Sequence, residues 1–243
     1  IERELKDAQR SRDTRSQRRR SSGEPVVAIV GYTNAGKSPL FNRLTDAGVL
    51  VEDRLFATLD SSVRKLELPH GHTALGSDTV GFVRDLPHEL VEAFRSTLEE
   101  ASDADLLLHL VDASDADPDH QVASVRVVLD EIGASDVDEV VVYNKIDAID
   151  DAAEQRLRSL HPAAEFISAM TGEGIDGLLA ALVDRLDAKT IELDLLVPYD
   201  RGDILADVHD AGDVLSLEHQ GEGTAVTVRL PHDEAHRYRT YVR

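Results

Sequence analysis

Gly31-Tyr32-Thr33-Asn34-Ala35-Gly36-Lys37-Ser38 fills every fixed position of the phosphate-loop pattern G-x-x-x-x-G-K-[ST]. Before it, Pro25-Val26-Val27-Ala28-Ile29-Val30 is short, apolar and β-branched, which predicts a buried strand. After it, Leu40-Phe41-Asn42-Arg43-Leu44 continues as a helix. That strand, loop and helix are the context the pattern requires. Glycines let backbone amides curl around phosphates, Lys37 reaches the terminal phosphates, and the Ser38 hydroxyl can ligate magnesium. The stretch therefore predicts a nucleoside triphosphate site on an α/β, doubly wound sheet.

The rest of the chain agrees with that architecture. Asp105 to Val111 is an apolar strand, Asp119 to Ile132 has helical spacing, and Leu90 to Leu98 reads as a further helix. Parallel strands covered on both faces read as continuous apolar runs, and their ligands sit at the strands' carboxyl ends. After Asp187 the pattern changes. Ile191 to Leu195 alternates as a strand, Gly202 to His209 is a short helix, and Val214 to Leu217 pairs with Thr224 to Leu230 around Gly221-Glu222-Gly223. The expected division is a basic segment and linker over residues 1–24, an α/β domain over 25–188 and a small α+β domain over 189–243. In the last, Tyr199, Tyr238 and Tyr241 are expected to pack rather than to stack on bases.

The base is read a hundred residues downstream. The apolar run ending in Val142-Tyr143 leads into Asn144-Lys145-Ile146-Asp147, an N-K-x-D sequence. A carboxylate at Asp147 accepts hydrogen bonds from guanine N1 and N2, which adenine does not offer, so GTP is expected over ATP. Asp78-Thr79-Val80-Gly81 is a D-x-x-G whose aspartate can hold magnesium and whose glycine amide can sense a γ-phosphate. Glu165 to Met170 reads as a strand and turn that offers the Ala169 amide to the guanine oxygen.

Taken with Leu55-Phe56-Ala57-Thr58-Leu59-Asp60 and Ile167-Ser168-Ala169-Met170-Thr171-Gly172-Glu173-Gly174, these motifs resemble the HflX family of ribosome-associated, translation-factor-class GTPases over nearly the whole chain. The resemblance implies a phosphate-loop GTPase domain with a small C-terminal domain, hydrolysis of GTP to GDP, Mg2+ as cofactor and the large ribosomal subunit as partner. It implies that Lys37, Thr58 and Gly81 serve catalysis and that Ser38, Thr58 and Asp78 hold the metal. Phe56, Ala57, Thr79, Val80, Lys145, Ser168 and Met170 would complete the nucleotide site. Where many GTPases have a water-orienting glutamine, this chain has Phe82, so turnover is expected to be slow without a partner. Asn34 stands where related potassium-dependent GTPases help bind a monovalent cation, making K+ a second candidate ion.

One position departs from the family, which has threonine where this chain has Pro39. Proline lacks the amide that typically donates to the α-phosphate. Losing a charge-assisted hydrogen bond costs on the order of 1.5–3 kcal/mol, roughly ten- to a hundredfold in affinity. Proline also biases Ser38 away from helical angles, although helices tolerate it in their first turn.

With 243 residues and 42% hydrophobic content, one sizeable core and a smaller unit are within reach. No apolar run approaches the roughly 18 residues of a membrane span. The absence of cysteine excludes disulfides and thiolate metal sites, and the 10 histidines lack ligand-like spacing. A cytoplasmic monomer is expected. The net charge of -21 opposes nucleic-acid binding in dilute salt. With 47 acidic residues, and 5 lysines against 21 arginines, the balance instead looks like proteins adapted to saturated cytoplasmic salt. There the Debye length falls to about 3 Å or less and global repulsion is screened. Six arginines between Arg10 and Arg20, with only Asp13 against them, form either a candidate RNA contact or a solvated helix end. The chain starts at Ile1 within a charged, helix-like run, so it is expected to be a fragment that lacks the family's N-terminal domain.

The reading is a GTP-hydrolysing switch. Its alternative is a nucleotide-binding module with little turnover because of Pro39 and Phe82; an ATPase is disfavoured by Asp147.

Overall fold

The computed structural model describes residues 24–45, 62–78, 100–232 and 234–243. Two compact units are distinguished, Pro25–Arg185 and one built on Leu186–Arg243.

In the first unit, β1 (Val26–Gly31) forms where the apolar β-branched run predicts it, and Val27, Ala28, Ile29 and Val30 are fully buried. Complete burial of consecutive residues requires cover on both faces. The other strands are β2 (Ser62–Glu67), β3 (Thr73–Asp78), β4 (Leu106–Asp112), β5 (Glu139–Asn144) and β6 (Glu165–Phe166), in the order β2-β3-β1-β4-β5-β6. Helices among the described residues include α1 (Lys37–Thr45), α2 (Pro118–Glu131), α3 (Asp151–Leu160) and α4 (Ile175–Asp187). Asp117 caps α2 by accepting from the His120 amide at 3.1 Å, with Pro118 at the first helical position, where no amide is needed. Asp150 caps α3 in the same way through the Ala153 amide at 2.8 Å. On one side of the sheet Ala28, Val30 and Leu107 pack with Val125, Val128 and Leu129 of α2. Each large aliphatic side chain buried in this manner contributes roughly 1.5–3 kcal/mol.

The doubly wound sheet forms as expected, and it is mixed: among the described residues five strands run parallel and one edge strand antiparallel. β2 runs antiparallel to β3, because the short link through the 3-10 turn Pro69–Gly71 can only return the chain beside its predecessor. β2 forms an edge of the sheet and carries exposed Arg64 and Lys65, charges that discourage further pairing. The parallel register aligns what matters for a site. Ile29 pairs with Asp78, Gly31 with Leu110, and Asp112 with Asn144, so the carboxyl ends of β3, β1, β4 and β5 lie side by side. The helix read at Leu90–Leu98 lies outside the described residues.

Among the described residues a polar network runs from the sheet interior to the surface. His109 is fully buried on β4 and its Nδ1 meets the Glu139 carboxylate, whose other oxygen accepts from Arg126 Nε at 2.9 Å. Burial pushes Glu139 up, but the hydrogen bonds from His109 and Arg126 outweigh it and hold the carboxyl below its ordinary value.

The second unit is α+β. β7 (Thr190–Val197), β9 (Gly223–Pro231) and β8 (Asp213–Gln220) form an antiparallel sheet in the order β7-β9-β8, with α5 (Gly202–Ala211) and the 3-10 helix Ala235–Tyr241. Leu195, Val197, Val226, Val228 and Leu230 pack with Val208 and Tyr238. Tyr238 packs as expected, its hydroxyl donating to Asp207 Oδ2 at 3.1 Å. Tyr199 does not: it is 61% exposed and donates to the Gln220 carbonyl at 2.6 Å. No helix among the described residues is long and apolar enough to cross a membrane.

Candidate functional site

The loop between β1 and α1 needs glycine at both ends. Gly31 has φ +149, and a Cβ there would lie 2.2 Å from the Leu110 carbonyl oxygen of β4. Gly36 has φ +96, and a Cβ there would lie 2.3 Å from Asn144 Nδ2. Asn34, exposed at the loop tip with φ 62, is among the few residues that tolerate that conformation. The Ala35 amide closes the turn onto the Tyr32 carbonyl at 3.3 Å, with Thr33 between them.

Lys37 opens α1 but points back under the loop. Its Nζ donates to the carbonyls of Gly31 at 3.0 Å and Tyr32 at 2.8 Å, and the residue is only 7% exposed. Desolvation lowers its pKa to about 8, against the opposing attraction of Asp78. The next residue reaches β3: Ser38 Oγ donates to Asp78 Oδ2 at 3.0 Å. A hydroxyl and a fully buried carboxylate side by side are hard oxygen donors of the kind magnesium accepts, so these two residues fit that ion.

Pro39 is accommodated. The first helical bond, from the Leu40 amide to the Gly36 carbonyl at 3.0 Å, forms beyond it. In a helix an amide at position 39 would face the Ala35 carbonyl. That oxygen accepts instead from Asn144 Nδ2 at 2.8 Å, so proline leaves no unsatisfied acceptor there.

Asn144 is the hub of the site. Fully enclosed at 2% exposure, it holds Ala35 through Nδ2 and accepts the Ala169 amide through Oδ1 at 2.8 Å. The Ala169 amide, expected to face a base oxygen, is thus committed to Asn144. Lys145 adopts φ 67 and its Nζ pairs with Asp112 at 2.6 Å, across the register that aligns β4 and β5. Asp147 follows on the 3-10 turn Ile146–Ala148 with its side chain exposed. Ser168 is buried and its Oγ accepts from the Thr171 amide at 3.0 Å, while Met170 is 78% exposed.

The structure thus brings together residues 31–39, Asp78, Asn144, Lys145, Asp147, Ser168, Ala169 and Met170. Phe56, Ala57, Thr58, Thr79, Val80, Gly81 and Phe82 lie outside the described residues. Two residues that sequence reasoning missed also belong here. Asp112 fixes Lys145, and its place at the end of an apolar strand was the available signal. Arg43 of α1 donates to the carbonyls of Ala169 at 2.8 Å and Met170 at 2.7 Å, a contact across more than a hundred residues that no motif announces.

Comparison with known proteins agrees with this arrangement. Residues 26–145 match the family model described as 50S ribosome-binding GTPase, and residues 154–239 match that of the HflX C-terminal domain. The GTPase HflX of Lacrimispora saccharolytica is 45% identical over 229 residues, covering 94% of this chain and 54% of the relative. The chain spans about half the length of the curated relatives it matches. Among solved structures, a single-residue variant of Aquifex aeolicus Era bound to GDP.AlF4- superposes with a TM-score of 0.51 at 25% identity, over 66% of this chain and 56% of that one. Era in complex with MgGDPNP and nucleotides 1506-1542 of 16S ribosomal RNA superposes with a TM-score of 0.52 at 25% identity, over 67% and 57%. With a phosphate-loop sheet carrying the guanine-type motif at its carboxyl edge and the family's own C-terminal domain following it in the chain, the protein belongs to the HflX family of GTPases.

Proposed function

We propose that this chain binds GTP and GDP and hydrolyses GTP to GDP and phosphate, in association with the large ribosomal subunit. The observation that carries the reading is Asn144: one buried side chain ties the phosphate loop at Ala35 to the base-reading loop at Ala169, so the two halves of a guanine nucleotide site are built as one piece. The exposed Asp147 carboxylate reads guanine N1 and N2. Lys37 exchanges two loop carbonyls for phosphate oxygens, where its charge is better satisfied. Ser38 and Asp78, with Thr58 as the family resemblance implies, would hold magnesium, which would supply charge neutralisation at the phosphates. Asn34 is the candidate residue for K+. Water attacks the γ-phosphate with positioning and electrostatics as the main aids; Gly81 senses the γ-phosphate, and no side chain is assigned as general base.

Residues 25–188 are read as the nucleotide-handling domain and 189–243 as a small accessory domain, with Arg10 to Arg20 as an RNA contact. The family model named for 50S binding and the Era complex with ribosomal RNA support a ribosomal partner. The place of action is the cytoplasm, in high salt, as a monomer. A second reading, nucleotide binding with little turnover, is favoured by Pro39, whose missing amide removes a phosphate donor.

Titration with GTP, GDP and ATP in magnesium and molar KCl, followed by phosphate release with and without large ribosomal subunits, tests both. The expected result is GTP preference and stimulation by the subunit. Equal competition by ATP refutes the guanine reading, and hydrolysis that subunits leave unchanged favours the binding module.

A further inference from the structure

Between Ser168 and Gly172 the backbone donors are almost all spoken for. Ser168 donates to the Glu173 carbonyl at 2.9 Å, Ala169 to Asn144 Oδ1 at 2.8 Å, Thr171 to Ser168 Oγ at 3.0 Å and Gly172 to the Ser168 carbonyl at 2.8 Å. The Met170 amide is the exception: it has no partner among the described residues. Its direction is set by Arg43. In a planar trans peptide the carbonyl of one residue and the amide of the next point to opposite sides. Arg43 Nε captures the Ala169 carbonyl at 2.8 Å, so the Met170 amide faces away from the guanidinium. Nη2 captures the next carbonyl, that of Met170, at 2.7 Å, which turns the Thr171 amide toward Ser168. Gly172 completes the seat. With φ +94, a Cβ there would lie 2.8 Å from Arg43 Nη1, so the guanidinium lies close against bare backbone.

We infer that Arg43 is a positioning residue for the guanine base: by locking the Ala169–Met170 peptide from the phosphate-loop helix, it aims the Met170 amide at the base oxygen O6. The inference rests on the guanine-nucleotide reading above. It also explains how a base oxygen is met although the Ala169 amide is occupied. A rigid fork is required, because two successive carbonyls must be held at once and a lysine ammonium has no such planar pair of donors. The Met170 carbonyl lies at the surface, where water can replace the lost partner, whereas the part-buried Ala169 carbonyl loses its donor, so the variants are read by ligand preference and not by stability.

The test is a comparison of GDP with 6-thio-GDP, which carries the weakly accepting sulfur in place of O6 and keeps the N1 and N2 groups that Asp147 reads. Dissociation constants are measured for the full 243-residue chain, Arg43→Gln, Arg43→Lys, Met170→Pro and the double variant Arg43→Gln/Met170→Pro. Arg43→Gln is expected to weaken GDP about tenfold and to shrink the preference for GDP over 6-thio-GDP several-fold. Arg43→Lys, which retains the charge, falls between. Met170→Pro removes the amide itself and gives the same loss of preference, with no further loss in the double variant. If both Arg43 variants bind the two ligands with the wild-type preference, whatever their melting temperatures, Arg43 is a structural tie and the inference is wrong. If the wild-type chain itself binds no GDP, the nucleotide reading fails and takes this inference with it.

Discussion

Lys37 is folded at a cost that nucleotide should relieve, and pH exposes that cost. Its ammonium is buried under the phosphate loop with two carbonyls as partners, and desolvation brings its pKa from 10.5 to about 8. At about 1.4 kcal/mol per pKa unit this corresponds to roughly 3 kcal/mol against the charged form in the nucleotide-free fold. The sign follows from proton counting. Between pH 8 and the unfolded value near 10.4, the unfolded chain binds more protons at this site, so stability rises with pH. Below pH 8 the penalty is present in full; by pH 10 most of it is gone. Lys37→Met keeps most of the stem's volume and carries no titrating group. It also strands the Gly31 and Tyr32 carbonyls, but that loss does not depend on pH. Urea unfolding of both proteins without nucleotide, at pH 7 and pH 10, isolates the effect as a difference of differences. Wild type should gain roughly 2–3 kcal/mol on Lys37→Met over that interval. Curves that stay parallel within about 0.5 kcal/mol would show that Lys37 is solvated in the empty loop. The idea that phosphate relieves a buried charge would then fall.

Four further outcomes are expected. Pro39→Thr restores the amide that proline lacks and should tighten GDP and GTP binding at least tenfold by isothermal titration in magnesium and KCl; equal affinities would mean that the loop compensates. Glu139 is held below its ordinary value by His109 and Arg126, so it stabilises the fold above pH about 4.3 and loses that effect as pH falls through its lower folded value. Urea unfolding should accordingly show the advantage of wild type over Glu139→Gln present at pH 6 and lost in strong acid. Tyr238→Phe removes a buried hydroxyl's bond to Asp207 and should cost about 1 kcal/mol in unfolding while leaving GDP affinity unchanged. The net charge of -21 should make the melting temperature rise steeply from dilute buffer to molar KCl; a flat dependence would count against adaptation to salt.

Much of the architecture was legible because it is local. β1, β4 and β5 announce themselves as apolar runs that only a sheet covered on both faces can bury, and Gly31 and Gly36 announce a loop whose close contacts and positive φ exclude side chains. The antiparallel hairpin of β2 and β3 was not legible, since Arg64 and Lys65 at an exposed edge leave no continuous apolar pattern. The likeness to a phosphate-loop protein was legible in spacing along the chain, and so were residue types whose chemistry suits phosphate, magnesium and guanine. What only the tertiary structure decided is how these pieces hold one another. Asn144 spends its side chain on Ala35 and Ala169, and Arg43 secures two carbonyls of a loop far along the chain. Those bonds depend on the parallel register that sets β1, β4 and β5 side by side, and on helix α1 lying within reach of the loop after β6. A linear pattern carries a residue's chemistry, whereas the direction of a hydrogen bond exists only once distant backbone has been packed around it.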